Sequence, residues 1–131
     1  MKIRLTMIAW AAALALSVAM PRPSHADTPT GEVTVVTIID VVPNYAMPQN
    51  VENSAAALTK LAADTQHMPG LVSFKILRDA SRPNHFVIIG VWKDMHSFET
   101  YSGAESTKNF RQIFQPKQGG PFDERVYVDL K

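Results

Sequence analysis

The 131-residue sequence contains no cysteine. This absence excludes disulfide bonds, thiol nucleophiles and thiolate metal sites. A histidine metal site has no support either, because His67, His85 and His96 are far apart in the chain and no His-x-His or HExxH spacing occurs. Aromatic residues make up only 8% of the chain, so a place where several occur together is informative.

The sequence also lacks a strong excess of charge of either sign, with 13 Lys and Arg against 12 Asp and Glu. Three of the basic residues, Lys2, Arg4 and Arg22, lie within the first 26 residues, which hold no acidic residue. Without these three residues, the chain has 10 basic and 12 acidic residues. No basic footprint for nucleic acid remains, so we expect no nucleic-acid partner.

Long apolar runs are scarce, and the longest of them lies at the start of the chain. Residues 6–20 are uncharged and mostly apolar, they follow Lys2 and Arg4, and Ser24-His25-Ala26 ends the segment. This is the pattern of a secretory signal, and the run is shorter than the roughly 18–20 residues of a membrane-spanning helix. We therefore interpret residues 1–26 as a cleaved signal peptide rather than a retained anchor. The mature protein is expected to be periplasmic or secreted, with no membrane attachment after cleavage.

The rest of the sequence predicts one small domain at residues 33–131, preceded by a flexible leader at 27–32. β-branched residues dominate 33–42, which predicts a strand with apolar residues on both faces. Then come a helix, two strands joined by a short turn, two helical pieces and a last strand, at 51–65, 71–79, 85–92, 93–101, 105–114 and 124–130. This order predicts an α+β fold, the ferredoxin-like βαββαβ arrangement with a four-stranded antiparallel sheet and both helical layers on one face.

The first and third predicted strands raise the question of what covers the other face of the sheet. Val33, Val35 and Ile39 point to one side of the first strand, yet Val36 and Ile38 point to the opposite side. A large bare apolar face does not stay in water. We therefore predict a homodimer in which two such sheets pair as a dimeric α+β barrel.

The segment HFVIIGVWKDMHSFETY, residues 85–101, carries the candidate site. Trp92 ends the third strand, and Phe98 and Tyr101 follow at helical spacing. Gly90 precedes Trp92 on the same face and leaves space beside its ring. Two interpretations stay open: the rings fill the space as simple core, or they line a small-molecule pocket. His96 is equally open between a surface residue and a general base.

The chain resembles the antibiotic biosynthesis monooxygenase domain family of the dimeric α/β-barrel superfamily. The motifs that carry the resemblance are the MPG turn after the first helix, the hairpin FKILRDASRPNHFVIIGVW, the segment KDMHSFETY, the helix with Phe110 and the tail GGPFDERVY. The resemblance implies a small dimer that oxidises a quinol or related aromatic phenol with O₂, without metal, flavin or other cofactor. Two alternatives stay open. Because some relatives bind haem, the protein could be a haem-binding protein. Because other relatives have no known activity, it could be a non-catalytic periplasmic protein that binds an aromatic ligand.

On this resemblance, the residues expected to bind substrate are Trp92, Phe98, Gly90 and Phe110, and the catalytic candidates are His96 and Tyr101. The sequence departs from the family pattern in three places. Tyr101 stands where many members have a histidine, which haem-degrading relatives use to bind iron. The first strand lacks the asparagine that the haem-degrading relatives have there. Ile88 stands at the position where an anthrone oxygenase has an asparagine before its tryptophan. The catalytic set of a known subfamily is therefore not reproduced.

Overall fold

The computed structural model describes residues 28–130, so the predicted signal peptide at 1–26 lies outside the described residues. The elements follow the predicted order, with the last strand preceded by a short 3₁₀ turn at Gln115–Lys117. Residues 28–32 precede the first strand without regular structure. The strands and helices are β1 Val33–Asp40, α1 Asn50–Thr65, β2 Leu71–Arg78, β3 His85–Trp92, α2 Met95–Gly103, α3 Glu105–Phe114 and β4 Asp123–Tyr127.

The four strands form one sheet in the order β2-β3-β1-β4, and every neighbouring pair is antiparallel. β2 and β3 form the predicted hairpin. In its turn the Asp79 side chain accepts hydrogen bonds from the backbone amides of Ser81 and Arg82. The ferredoxin-like α+β fold predicted from the sequence is confirmed.

The last strand is shorter than the alternation of its side chains predicts. β4 pairs with β1 only as far as Tyr127, which lies opposite Thr34. Residues beyond Tyr127 would lie opposite Val33, the first residue of β1, and then opposite the irregular segment before β1. The β1–β4 ladder therefore ends at Tyr127. Val128 and Leu130, predicted as strand residues, are exposed instead.

Two asparagines anchor the start of helix α1. Asn50 is the first helical residue, and its buried side-chain amide donates to the carbonyls of Val42 and Lys117 at 2.8 and 2.9 Å. The Asn44 side chain serves the helix start, because its Oδ1 accepts a hydrogen bond from the Val51 amide at 2.9 Å. Asn50 therefore ties three segments together.

The sheet has one covered face and one open face. The helices pack on the covered face, where alternate residues of β1 and β3 are buried: Val33, Val35, Thr37, Ile39, Phe86, Ile88, Gly90 and Trp92. The open face carries the other set, which is half-buried and largely β-branched: Thr34, Val36, Ile38, Asp40, His85, Val87, Ile89 and Val91. The sequence pattern that is apolar on both sides thus corresponds to a real second apolar face.

The charged residues at the ends of the strands pair with near neighbours in the sheet. Oδ1 of Asp40 lies 2.7 Å from Nδ1 of His85, its neighbour across the β1–β3 ladder. Arg125 pairs with Asp123 on its own strand. Antiparallel register explains this result, since it puts residues from opposite ends of two strands side by side.

No helix within residues 28–130 is long and apolar enough to cross a membrane.

Candidate functional site

Three aromatic rings meet where β3 runs into α2. Trp92 is the last residue of β3, and α2 starts within three residues because Asp94 accepts hydrogen bonds from the amide and hydroxyl of Ser97 at 2.7 and 2.6 Å. This short connection turns Phe98 and Tyr101 back toward the sheet. The Trp92 and Tyr101 rings stack with centroids 4.8 Å apart, and Phe98 lies 6.5 Å from Trp92.

A cavity of about 90 Å³ opens beside this aromatic cluster. The rings pack on one another, as the core interpretation expects, and still leave this space. Trp92 is only 1% exposed, so its ring forms wall rather than surface. The cavity is lined by Val35, Thr37, Leu61, Phe74, Ile88, Gly90, Trp92, Phe98, Tyr101, Thr107, Phe110, Arg111, Phe122 and Glu124.

Gly90 lets the walls of the cavity approach one another. A Cβ atom at this position would lie 3.0 Å from Nε1 of Trp92 and 3.4 Å from Cδ2 of Phe74. The first of these contacts is closer than a carbon atom tolerates without a shift of its neighbour. The absence of a side chain at residue 90 therefore allows the indole ring to take its position at the cavity wall.

One side of the cavity is polar. Glu124 on β4 accepts hydrogen bonds from the hydroxyl of Thr37 at 3.2 Å and from Nη2 of Arg111 at 3.2 Å to each carboxylate oxygen. Nη2 of Arg111, on α3, also lies 3.4 Å from Oγ of Ser102. Side chains of β1 and α3 thus converge on Glu124 of β4, the only carboxylate among the described residues that line the cavity.

Two hydroxyl groups complete the lining. Burial raises the pKa of the Tyr101 phenol to about 12, against smaller lowering effects of Arg111 and of the Thr65 and Thr107 hydroxyls. Tyr101 is therefore a neutral hydrogen-bond donor at neutral pH and not a base. Thr107 is 2% exposed, and although it is close enough to affect that pKa, its Oγ1 has no hydrogen-bond partner of ordinary geometry.

The structure brings together five of the six site residues predicted from the sequence: Trp92, Phe98, Gly90, Tyr101 and Phe110 line the same cavity. The sixth, His96, is exposed on α2 and does not line it. Its position on the helix explains this result, because Phe98 and Tyr101 share the inward side and His96 lies outside that side. The roles of all six residues remain predictions.

Sequence reasoning missed the polar residues of the cavity: Thr37, Thr107, Arg111 and Glu124. Two of them had a readable signal. Thr37 alternates in phase with the buried Val35 and Ile39 on β1, and Glu124 alternates in phase with Val126 on β4. A polar residue in phase with an apolar face is one that the sheet turns inward.

One large apolar residue of α3 lies outside its buried side. Ile113 is 65% exposed. The buried side of α3 instead follows Thr107 and Phe114, seven residues apart, so Ile113 is turned away.

Across residues 28–130, no group of three or more His, Asp or Glu side chains is placed to hold a metal ion.

Comparison with solved structures identifies the fold. An antibiotic biosynthesis monooxygenase is similar at 15% identity and a TM-score of 0.68, covering 76% of this chain and 99% of its own. A protein of Mycobacterium tuberculosis shows 16% identity and a TM-score of 0.67, covering 76% and 96%. SnoaB of Streptomyces nogalater, a cofactor-independent oxygenase, shows 19% identity and a TM-score of 0.65, covering 76% and 94%.

A search of curated proteins found no match. The family model of the antibiotic biosynthesis monooxygenases, in contrast, matches residues 38–113, which is more than half of the chain. This range runs from β1 through α3 and includes the aromatic cluster, so the chain belongs to the antibiotic biosynthesis monooxygenase family.

Proposed function

We propose that this protein is a cofactor-independent monooxygenase that oxidises a small quinol or related aromatic phenol with O₂. The observation that carries the proposal is the cavity beside Trp92, with aromatic walls and a carboxylate–guanidinium pair on one side. Flat apolar walls suit an aromatic ring, and a few fixed polar groups orient it. The cofactor-independent oxygenase of Streptomyces nogalater shares the fold.

The chemistry requires little from the protein beyond placement and proton transfer. A base removes a phenolic proton, and the resulting electron-rich anion reduces O₂ directly. For a 1,4-diol the balance is complete without another reductant: the ring supplies four electrons, one oxygen atom enters it to give a hydroxyquinone, and the other leaves as water. The apolar walls of the cavity strengthen each electrostatic contact to the anion where they exclude water.

The size of the cavity narrows the substrate class. Its volume of about 90 Å³ is below that of an engineered ~150 Å³ cavity that holds benzene. A single aromatic ring can therefore contact Trp92 only if part of that ring remains in the open mouth of the cavity. A fused polycycle would fit only if the cavity walls moved. A single-ring quinol fits the proposal better than an anthrone.

We also propose that the protein acts as an exported homodimer. The open sheet face supports the dimer, since it presents two rows of Val and Ile at the centre of the sheet. The sequence pattern of residues 1–26 supports export. Intact-mass measurement of periplasmic protein is expected to give a chain that begins near Asp27, and a mass that retains residues 1–26 would contradict export.

Haem is expected to bind weakly or not at all. The residue at the position of the iron-binding histidine, Tyr101, is stacked on Trp92, and burial raises its pKa to about 12, which disfavours the phenolate that ferric iron requires. Titration with haem, followed at the Soret band, is the measurement. A sharp submicromolar transition that is lost in Tyr101→Phe would contradict this expectation.

The proposed activity is tested by O₂ uptake with a panel of single-ring and fused quinols, while quinone absorbance is recorded in parallel. The expected result is O₂ consumption that depends on the protein and is fastest with single-ring quinols. Saturable binding of the quinols without O₂ consumption would instead identify a non-catalytic binding protein and would overturn the monooxygenase proposal.

A further inference from the structure

The carboxylate of Glu124 has unused capacity for a hydrogen bond inside the cavity. An ionised carboxylate only accepts hydrogen bonds and offers about four lone-pair sites. Thr37 donates to one oxygen, and a single Arg111 nitrogen lies 3.2 Å from both. Since the side chain is 29% exposed and lines the cavity, a ligand hydroxyl can reach it.

Thr107 supplies an independent sign of a ligand. The residue lines the same cavity, and its buried hydroxyl lies near the Tyr101 phenol but has no hydrogen bond of ordinary geometry to a described residue. A buried polar atom left without a partner is destabilising, and native structures rarely keep one without a reason. A hydroxyl can both donate and accept, so an oxygen atom of a bound molecule would satisfy it in either role.

Arg111 gives the polar side of the cavity its electrostatic character. Its guanidinium, held against Glu124, is a fixed positive charge at the cavity lining. A phenol that loses its proton there becomes an anion beside this positive charge, and the attraction between the two charges favours the anion. The pair therefore combines a proton acceptor with a countercharge for the product of proton transfer.

We propose, as an inference that rests on the proposed function, that the substrate is a single-ring aromatic diol. Glu124 accepts the proton of one hydroxyl of this diol, and Thr107 binds the second oxygen of the diol. In the transfer, the phenolic O–H bond breaks, a new O–H bond forms on Glu124, and the electron pair stays on the phenolate oxygen beside Arg111. Thr37 is a positioning residue for the Glu124 carboxylate. The exposed His96, the candidate base from the sequence, takes no part.

The test measures binding in the absence of O₂, so that it does not depend on turnover. The sequence has two tryptophans, Trp10 and Trp92. Trp10 lies in the signal peptide that is proposed to be cleaved, so Trp92 is the single indole of the mature protein, and its fluorescence reports on the cavity itself. The probes are 1,4-dihydroxybenzene and its dimethyl ether, which has the same ring but no hydroxyl to donate.

We expect the diol to bind the parent protein about tenfold or more tightly than the ether, a difference of one charge-assisted hydrogen bond. Glu124→Gln and Thr107→Val are each expected to weaken diol binding while binding of the ether changes little. Glu99→Gln on the exposed side of α2 makes the same chemical change outside the cavity, and His96→Gln removes the alternative base. Both are expected to bind the diol like the parent.

Three results would overturn the assignment. The first is equal affinity of the parent protein for diol and ether, a comparison that needs no cavity variant to fold. The second is unchanged diol binding in a folded Glu124→Gln protein. The third is a loss of diol binding in His96→Gln that matches or exceeds the loss in Glu124→Gln. Diol binding that depends on Glu124 without any O₂ consumption would support this assignment and refute the oxygenase proposal alone.

Discussion

Replacing Gly90 with leucine is expected to abolish binding of an aromatic ligand beside Trp92. A Cβ at residue 90 already lies 3.0 Å from Nε1 of Trp92, so the rest of the leucine side chain has to occupy the cavity or displace the indole ring. We expect the affinity for a single-ring quinol to fall about 100-fold or more, which corresponds to about 2.8 kcal/mol. Overpacking is expected to lower the free energy of unfolding by about 1–3 kcal/mol, so the folded state persists.

The measurement is ligand titration together with thermal unfolding of each variant. Gly90→Ala is an intermediate case, because its single carbon atom requires only a small shift of the Trp92 ring. The matched control is Gly103→Leu at the end of α2, where a Cβ meets no atom within 4 Å. It adds the same side chain in open space and is expected to bind ligand like the parent. If Gly90→Leu folds and keeps its affinity for the quinol, the cavity is not the binding site.

Replacing Val36 with lysine is expected to dissociate the proposed dimer. Val36 lies on the open face of β1, between Ile89 on β3 and Arg125 on β4. In a two-fold symmetric dimer the substitution places two ammonium groups in the interface, and Arg125 adds a like charge beside each. An unpaired charge taken out of water costs several kcal/mol, so the dissociation constant is expected to rise about 1000-fold or more.

Sedimentation at micromolar concentration measures this effect. The open face is not part of the helix-covered core, so the Val36→Lys monomer is expected to keep its secondary structure. Ile113→Lys is the matched control, since Ile113 is 65% exposed on α3, away from the open face. That variant is expected to remain a dimer. A parent protein that sediments as a monomer would contradict the assembly, as would a Val36→Lys protein that stays dimeric.

The sequence was sufficient for the order of elements and for the aromatic side of the site, because both depend on short-range patterns. Trp92, Phe98 and Tyr101 lie within ten residues of one another, and a strand that runs directly into a helix brings them together. Gly90 could be placed in the same way, by the two-residue period of β3. Local spacing was therefore enough to predict one wall of the cavity.

The polar wall could not be predicted in the same way. Thr37, Arg111 and Glu124 come from β1, α3 and β4, and only the pairing of β4 beside β1 and the packing of α3 over them bring these residues into contact. Nothing in the local sequence specifies that Arg111 reaches Glu124. His96 shows the converse: the turn of one helix places a chemically suitable side chain outside the cavity, although it is close to Trp92 in sequence.

The most direct test of the central claim is the fate of the two oxygen atoms when the parent protein turns over a single-ring quinol under ¹⁸O₂. We predict one labelled oxygen atom in a hydroxyquinone product and the other in water, with no added metal, flavin or reductant. A failure to consume O₂, or an unlabelled quinone formed together with labelled hydrogen peroxide, would contradict it.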